Sequence, residues 1–327
     1  MKRKLFFKLT LIIFSIWIGA SCLLEAQTGR KAMYMNFQKL VLYHAKRTNE
    51  YYLAVTATDD STRPANFDTM DVHIKLEMRN GESKLIDNGD LKVTNLGNMY
   101  NKVIGEKNTL FRFTMVIDNS GSIDPTSLGY VQNSLKKFIE LVPLVFEAQV
   151  IRFSNTVQPM TSSFTKNKEE LINAITQPLP QGSTALFDAI ERGVQELKYK
   201  QDEIPLRFAV VLTDGLENAS VNNSDPITFK SKIINECRQN YIPLFIVGVT
   251  DNVDSQLLTE IAGFGFYQHI KNFPDIEKAF NLILNVIKDT YVFKIPAVGN
   301  FNDIKTLYIV KKTPAGNLET IQDIIVN

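Results

Sequence analysis

Between residues 110 and 290, apolar strand patterns alternate with amphipathic helix patterns, and this alternation constrains the fold of the 327-residue chain most strongly. The strand patterns are short and rich in Val, Ile and Phe, and they cover residues 111–117, 149–153, 208–212 and 244–249. The helix patterns cover residues 128–141, 168–175, 186–197, 230–238 and 276–287. Strands that alternate with helices predict a mainly parallel sheet with helices on both faces. We therefore expect an α/β fold in this part of the chain.

The two ends of the chain have a different pattern, which is typical of β structure. Residues 39–43, 52–57 and 72–78 are rich in strand formers, and turn-forming residues separate them. Residues 291–295 and 307–310 are also strand-like. A tail of about three strands is too small to be stable alone. We therefore expect residues 291–327 to complete a small β-sandwich-like domain begun by residues 32–105, with residues 106–290 as an α/β insertion.

Oxygen-bearing side chains follow two of the predicted parallel strands. Asp118, Ser120 and Ser122 come directly after the strand at 111–117, and Asp214 follows the strand at 208–212. Thr184 lies just before the helix that begins near residue 186. In an open α/β sheet, ligands bind outside the carboxyl ends of the strands. We expect these five side chains to reach one point above the sheet.

The motif Asp118-x-Ser120-x-Ser122, followed by Thr184 and then by Asp214-Gly, resembles the metal-ion-dependent adhesion site of von Willebrand factor A (VWA) domains. The resemblance covers roughly residues 109–290. It implies a Rossmann-like fold and a bound divalent cation, most often Mg²⁺, with Mn²⁺ or Ca²⁺ as alternatives. It further implies that the two serines and Thr184 are direct or near-direct ligands and that the two aspartates bind directly or through water. The remaining coordination position is left for an acidic residue of a protein partner.

The donor set is consistent with that cation on chemical grounds. Mg²⁺ prefers about six oxygen ligands and keeps some of its water. No His or Cys lies near the motif in sequence, which argues against zinc. The alternative is that Asp118 and Ser120 cap the following helix and that Asp214 forms an ordinary turn. We interpret Asp188 as a helix N-terminal carboxylate and Glu217 as a solvated residue at the rim, and neither as a ligand.

The N-terminus has the layout of an export signal. Basic residues at positions 2–4 precede an apolar run, and small residues follow at 19–21. The run is shorter than the ~20 residues that span a bilayer. Residues 19–22 resemble a bacterial lipobox, so Cys22 is a candidate for lipidation; a cut after Ala26 is the alternative. We expect a signal peptide at 1–21 and an exported protein in the periplasm, at the outer membrane or at the cell surface.

Charge and cysteine content argue against a nucleic-acid partner and against a disulfide-stabilised fold. Without residues 1–21 the chain has 32 basic and 35 acidic residues, a net charge of −3, which argues against a nucleic-acid partner. If Cys22 is lipidated or removed, Cys237 is the remaining cysteine and the mature chain has no disulfide framework. Cys237 lies in a helix pattern and is interpreted as a small buried apolar side chain. If Cys22 is lipidated, we expect that lipid to be the only membrane anchor of the mature chain.

Two hypotheses for function follow. The first is a binding module that captures a protein partner through its metal. The second is an accessory subunit or a metal-dependent enzyme with phosphoryl or hydrolytic chemistry. The sequence pattern places no general base beside Ser120 or Ser122, so we expect the chain not to be an enzyme.

Overall fold

The protein is described from a computed structural model that covers residues 42–45, 50–55, 71–96, 109–199, 206–240, 242–263 and 265–325. The expected signal at 1–21, Cys22 and the alternative cleavage position after Ala26 lie outside the described residues.

The first described part of the chain consists of short β-strands. They are β1 (Leu42–Ala45), β2 (Glu50–Val55), β3 (Val72–Met78), β4 (Ser83–Ile86) and β5 (Lys92–Asn95). The strand expected at 72–78 is confirmed. Of the strand expected at 39–43, residues 42–43 lie in β1, which continues to Ala45, and residues 39–41 lie outside the described residues.

The central part of the chain alternates strands and helices, as expected. Its strands are β6 (Phe111–Asp118), β7 (Phe146–Phe153), β8 (Val157–Pro159), β9 (Leu206–Thr213), β10 (Leu244–Val249) and β11 (Phe266–Ile270). Its helices are α1 (Pro125–Leu141), α2 (Lys168–Thr176), α3 (Leu186–Tyr199), α4 (Pro226–Asn240), α5 (Ser255–Ala262) and α6 (Ile276–Lys288). The final strands are β12 (Tyr291–Pro296), β13 (Ile304–Lys312) and β14 (Leu318–Ile325).

The central strands form one six-stranded sheet in the order β11-β10-β9-β6-β7-β8. All neighbouring pairs are parallel except β7 and β8, which are antiparallel. The chain begins this sheet in the middle, at β6, builds outward through β7 and β8, and then returns to the other side of β6 with β9. The strand order therefore reverses between β6 and β9, and an open α/β sheet binds ligands at such a point.

Helices cover both faces of this sheet. One hydrophobic cluster joins α1, α2 and α6 to side chains such as Phe113 and Phe208, whose rings stack 5.1 Å apart. The other joins α3, α4 and α5 to side chains such as Val211 and Ile246. Strands β6 and β9 are buried along their whole length, as expected for parallel strands that helices cover on both faces. The expected Rossmann-like α/β fold is confirmed.

The remaining strands form two four-stranded sheets, with the orders β1-β2-β12-β5 and β14-β13-β3-β4. In the first sheet β12 pairs antiparallel with both β2 and β5, and in the second β13 pairs antiparallel with β3. Side chains of both sheets, including Leu53, Phe293, Ile74 and Ile309, share one hydrophobic cluster. This pairing of the two chain ends supports the expected insertion of the α/β part, which remains a proposal.

Across the ranges described here, no helix is both long enough and apolar enough to span a bilayer.

Candidate metal site

The five predicted site residues lie at the point where the strand order reverses. Asp118 is the last residue of β6, and Asp214 directly follows the end of β9 at Thr213. Ser120 and Ser122 lie in the loop between β6 and α1, and Thr184 lies just before α3. The structure brings the serines and Asp214 into hydrogen-bond contact, although they are more than ninety residues apart in sequence.

Hydrogen bonds orient the carboxylates and the hydroxyls toward one another. Asp214 Oδ1 accepts from Ser122 Oγ at 2.8 Å and from Ser120 Oγ at 3.4 Å, and the two serine hydroxyls lie 3.0 Å apart. Asp118 Oδ1 accepts from the Ser120 N–H at 2.7 Å, and its Oδ2 accepts from Thr213 Oγ1 at 2.6 Å. Asp118, Ser120, Ser122, Thr213 and Asp214 therefore form one connected cluster of oxygens, in which the Ser120 N–H links Asp118 to the serines.

Thr184 joins this cluster beside Gly215. A Cβ atom added to Gly215 would lie 3.3 Å from Thr184 Oγ1 and 3.8 Å from Ser122 Oγ. The lack of a side chain at position 215 thus keeps open the space between these two hydroxyls. Thr184 itself is fixed by its N–H, which donates to Asn218 Oδ1 at 2.8 Å, and by its carbonyl, which accepts from the Asn218 N–H at 3.0 Å.

Both carboxylates are buried, with Asp118 0% and Asp214 2% exposed. Burial raises the pKa of Asp118 to about 6, and it also raises the pKa of Asp214. Neither carboxylate forms an ion pair with a Lys or Arg among the described residues. Buried anions are normally paired or coordinate a metal, so this cluster is short of positive charge.

A divalent cation fits this donor set. The cluster supplies oxygen ligands only, two of them ionisable, and Ser122 is exposed at its solvent side. Oxygen-only sites suit Mg²⁺, Mn²⁺ and Ca²⁺ rather than zinc. Across the described residues, no three His, Cys, Asp or Glu side chains come together to hold a metal. That finding is compatible with a site in which three of the five ligand groups are hydroxyls.

The helix-cap alternative does not agree with the structure. Helix α1 is capped by Asp124, whose side chain accepts from the N–H groups of Thr126 at 2.8 Å and Ser127 at 3.2 Å. Pro125 occupies the first helical position, where its lack of an N–H is harmless. The cap explains why α1 begins at Pro125, three residues earlier than its apolar pattern predicts. Asp118 and Ser120 are therefore free of that role.

A second set of buried contacts holds together the loops that carry the ligands. Asn119 Nδ2 donates to the carbonyls of Leu179 at 3.3 Å and Pro180 at 3.1 Å, and its Oδ1 accepts from the Arg152 guanidinium. Arg152 is 1% exposed, and it also donates to the Gln177 carbonyl. These bonds fix the Ser120 loop against the segment that leads to Thr184. Sequence reasoning missed both residues, because no local pattern marks them.

Glu217 is a structural carboxylate, and the interpretation as a solvated rim residue is wrong. Its Oε1 accepts from the N–H groups of Ala219 at 2.8 Å and Ser220 at 2.7 Å. Its Oε2 accepts from the Phe187 N–H at 2.8 Å and from Ser220 Oγ at 2.7 Å. The bond to Phe187 satisfies a free N–H in the first turn of α3. Glu217 thereby ties the loop after Asp214 to the helix after Thr184.

Asp188 lies in the first turn of α3, as interpreted from the sequence. Its Oδ2 accepts from the N–H groups of Val221 at 2.9 Å and Asn222 at 3.2 Å, and its Oδ1 accepts from Asn223 Nδ2 at 2.8 Å. It therefore also holds the loop that follows Asp214, in addition to any interaction with the helix dipole.

The oxygen cluster opens into a cleft of about 500 Å³. Besides Ser122, Thr184, Asp214 and the motif glycine Gly215, the cleft is lined by residues that the sequence did not mark as part of the site: Leu216, Asn218, Asp251, Asn252 and Val253. The last three follow β10, at the same edge of the sheet. Their shared position after a parallel strand was the signal that could have found them.

Cys237 is not part of the oxygen cluster. It is 3% exposed in α4, and burial raises the pKa of its thiol to about 12. A thiol of this kind is inert at neutral pH, consistent with its interpretation as a buried apolar side chain.

Comparison with known proteins agrees with the fold. The family model described as the von Willebrand factor type A domain matches residues 114–285, which is more than half of the chain. A search of curated proteins finds no match.

Among solved structures, a von Willebrand factor type A protein from Catenulispora acidiphila has 11% identity and a TM-score of 0.50, covering 79% of this chain and 73% of its own. Proximal thread matrix protein 1 from the mussel byssus, with a zinc-occupied MIDAS motif, has 18% identity and a TM-score of 0.47. The match covers 62% of this chain and 49% of the mussel chain. This chain spans about half the length of that protein. The von Willebrand factor domain of a type V pilus tip protein from Porphyromonas gingivalis has 12% identity and a TM-score of 0.41. The match covers 55% of this chain and 95% of the pilus tip domain.

Proposed function

Since the chain belongs to the von Willebrand factor type A domain family, we propose that it is a metal-dependent protein-binding module of an exported bacterial protein. The observation that carries this proposal is the convergence of Asp118, Ser120, Ser122 and Asp214 on one hydrogen-bonded oxygen cluster at the reversal of strand order, with Thr184 beside it. A buried cluster of this composition is unusual in a merely structural role, because two carboxylates lie there without a cationic partner among the described residues.

The proposed ligands of the cation are Ser120, Ser122, Thr184, Asp118 and Asp214. Mg²⁺ is the proposed ion, because hard oxygen donors and only two carboxylates suit it. Mn²⁺ and Ca²⁺ are the alternatives. The zinc in the mussel protein belongs to that protein's own site.

The proposed partner is a protein that presents an Asp or Glu side chain. When bound, the cation supplies a positive charge that attracts an outside carboxylate. The chain's own residues prepare the site for it. The Thr213 hydroxyl and the Ser120 N–H orient Asp118, and Ser122 lies at the solvent-exposed side, where the partner would approach. Because these groups are fixed in advance, binding costs little reorganisation.

An enzymatic role is the weaker proposal. Among the described residues that line the cleft there is no His and no Lys, and the two carboxyl groups there are Asp214, assigned here to the cation, and Asp251. Screens for phosphatase and protease activity with Mg²⁺ or Mn²⁺ separate the two proposals, and activity that is lost in Ser122→Ala would favour the enzyme.

Export rests on the basic and apolar pattern of residues 1–21, and lipidation rests on Cys22. Expression in a bacterial host and mass spectrometry of the mature N-terminus would separate the two cleavage positions. A lipidated Cys22 gives a diacylated or triacylated first residue, and Cys22→Ser removes it. An unmodified N-terminus at Gln27 would contradict lipidation.

The metal itself is the first test of function. Calorimetry of the chelator-treated mature protein should detect one divalent-cation site, and Asp118→Asn should abolish it. The matched control is Asp124→Asn, which keeps a good helix cap at a position outside the oxygen cluster and should bind the cation normally. Equal binding by both variants would contradict the proposal.

A further inference from the structure

The segment that follows Asp214, from its loop to the first turn of α4, displays unusually exposed apolar side chains. Leu216, Val221 and Ile227 are 56%, 82% and 72% exposed, and these are the three highest values for large hydrophobic residues in the described part of the chain. Scattered exposed apolar residues are common, but three within one short segment beside a ligand site are not. Such residues are typical of a surface that is covered by a partner.

This loop is held in place rather than free to collapse onto the protein. Glu217 accepts four hydrogen bonds and Asp188 accepts three, and together they fix the backbone from Ala219 to Asn222 and the side chain of Asn223. Val221 lies within this fixed stretch, Leu216 directly precedes Glu217, and Ile227 lies in the first turn of α4. Little of this backbone has to be ordered on binding, which lowers its cost.

Leu216 lies between two clefts. It lines the cleft above the oxygen cluster, and it also lines a neighbouring cleft of about 370 Å³. Apolar groups of Phe187, Pro226 and Leu257 contribute to the walls of the neighbouring cleft. A ligand that enters the first cleft therefore meets an apolar recess directly beyond Leu216.

The charges of the two clefts limit what can occupy them. Among their described lining residues there is no Lys or Arg, whereas Asp214 and Asp251 line the first cleft and Glu217 and Asp254 line the second. A carboxylate can be attracted here only by the cation. A second carboxylate on the same ligand would face Asp254 and be repelled, while an apolar side chain would bury its surface against Leu216.

We propose that the partner segment carries a single carboxylate with a large apolar side chain directly beside it, and that this apolar side chain packs against Leu216 in the neighbouring cleft. The inference rests on the proposed function, because the carboxylate is the group that the metal site receives. It adds the chemical class of the recognised segment: one isolated acid next to an apolar residue, and not an acidic run.

The test uses the full mature protein with Mg²⁺ and blocked synthetic hexapeptides, Gly-Gly-Asp-X-Gly-Gly, in which X is Leu, Gly or Glu. A fourth peptide has Leu before the Asp. Binding is followed by NMR shifts of the protein. The tighter of the two Leu peptides should bind about tenfold better than the Gly peptide, as expected for burial of one Leu side chain. The Glu peptide should bind more weakly than the Gly peptide.

Leu216→Ser should remove the preference for Leu, so that this variant binds the Leu and Gly peptides equally. Leu144→Ser is the matched control, because Leu144 is 48% exposed and precedes β7 at the opposite end of the sheet. Three outcomes would each overturn the inference. All four peptides could bind with equal affinity, the preference for Leu could survive Leu216→Ser, or the Leu peptides could fail to bind at millimolar concentration. Peptide binding that persists in chelator would instead overturn the proposed metal-dependent function.

Discussion

At the residue scale, the buried carboxyl of Asp118 makes the stability of the metal-free protein depend on pH. Its pKa is raised to about 6 by burial, whereas an unfolded Asp titrates near ~4. Between these values the folded state holds a proton that the unfolded state has lost. As the pH rises from about 4 to about 6, the free energy of unfolding therefore falls, by up to about 3 kcal/mol. A cation compensates the ionised form, so metal affinity should rise over the same range.

Asp118→Asn isolates this effect, because the amide keeps the shape and can still bond the Ser120 N–H and the Thr213 hydroxyl. In chelator, urea unfolding from pH 4.5 to 7.5 should show the variant gaining stability relative to the natural protein as the pH rises. Asp124→Asn should show no such gain across this range, since hydrogen bonds lower the pKa of Asp124 and its titration is complete below pH 4.5. Parallel curves for the natural protein and Asp118→Asn would refute the assignment.

Glu217 is the second residue whose removal has a predictable cost. Glu217→Gln replaces one of two acceptor oxygens by an amide nitrogen, although three N–H groups and one hydroxyl donate to this side chain. At least one donor then loses its partner, and we expect the free energy of unfolding to fall by about 1–3 kcal/mol. Chemical denaturation measures the change. Glu82→Gln, at an exposed position, should leave the free energy of unfolding within about 0.5 kcal/mol of the natural protein. The prediction fails if Glu217→Gln changes it equally little.

At the element scale, the contact between Asn119 and Arg152 couples two loops that carry ligands. Asn119→Ala removes the donors to the carbonyls of Leu179 and Pro180 and leaves the buried guanidinium of Arg152 with one acceptor fewer. We expect a loss of about 3 kcal/mol in stability and weaker Mg²⁺ binding, because the segment before Thr184 is no longer fixed. Calorimetry and denaturation test both effects.

The exposed Asn173→Ala, in α2, is the matched control for this change and should leave both quantities near their natural values. If Asn119→Ala destabilised the protein but bound Mg²⁺ normally, the contact would serve the fold alone.

Elements with strong local patterns were predictable from the sequence, and elements defined by tertiary pairing were not. Strands β3 and β10 match their expected bounds because their side chains are buried in a simple pattern. Strand β11 was missed because it lies at the sheet edge and is largely half-exposed, so its residues carry no apolar period. The same reasoning applies to the site: its five motif residues were predicted, but the roles of Arg152 and Glu217 depend on loops that meet only in the folded chain.

At the scale of the whole molecule, the α/β part and the β sheets meet at a very short connection. Only Asp289 and Thr290 separate α6 from β12, and the Thr290 carbonyl accepts from the Leu96 N–H at 2.9 Å. Within β12, Val292 packs into a cluster of the α/β part while Phe293 packs into the cluster shared by the two β sheets. Strands β2 and β3 rely on β12 and β13 for their partners, although these lie more than two hundred residues later.

This arrangement predicts that the two parts differ in their ability to fold alone. A fragment of residues 106–292 contains the whole six-stranded sheet and its six helices, so it should be soluble, unfold cooperatively and bind Mg²⁺. A fragment of residues 23–105 lacks one of the two central strands of the first β sheet, β12, and half of the second, β13 and β14. Its apolar faces then stay uncovered and it should aggregate. Circular dichroism and size-exclusion chromatography of both fragments test this. A monomeric, cooperatively folded 23–105 fragment would show that the α/β part is appended to an independent domain rather than inserted into one.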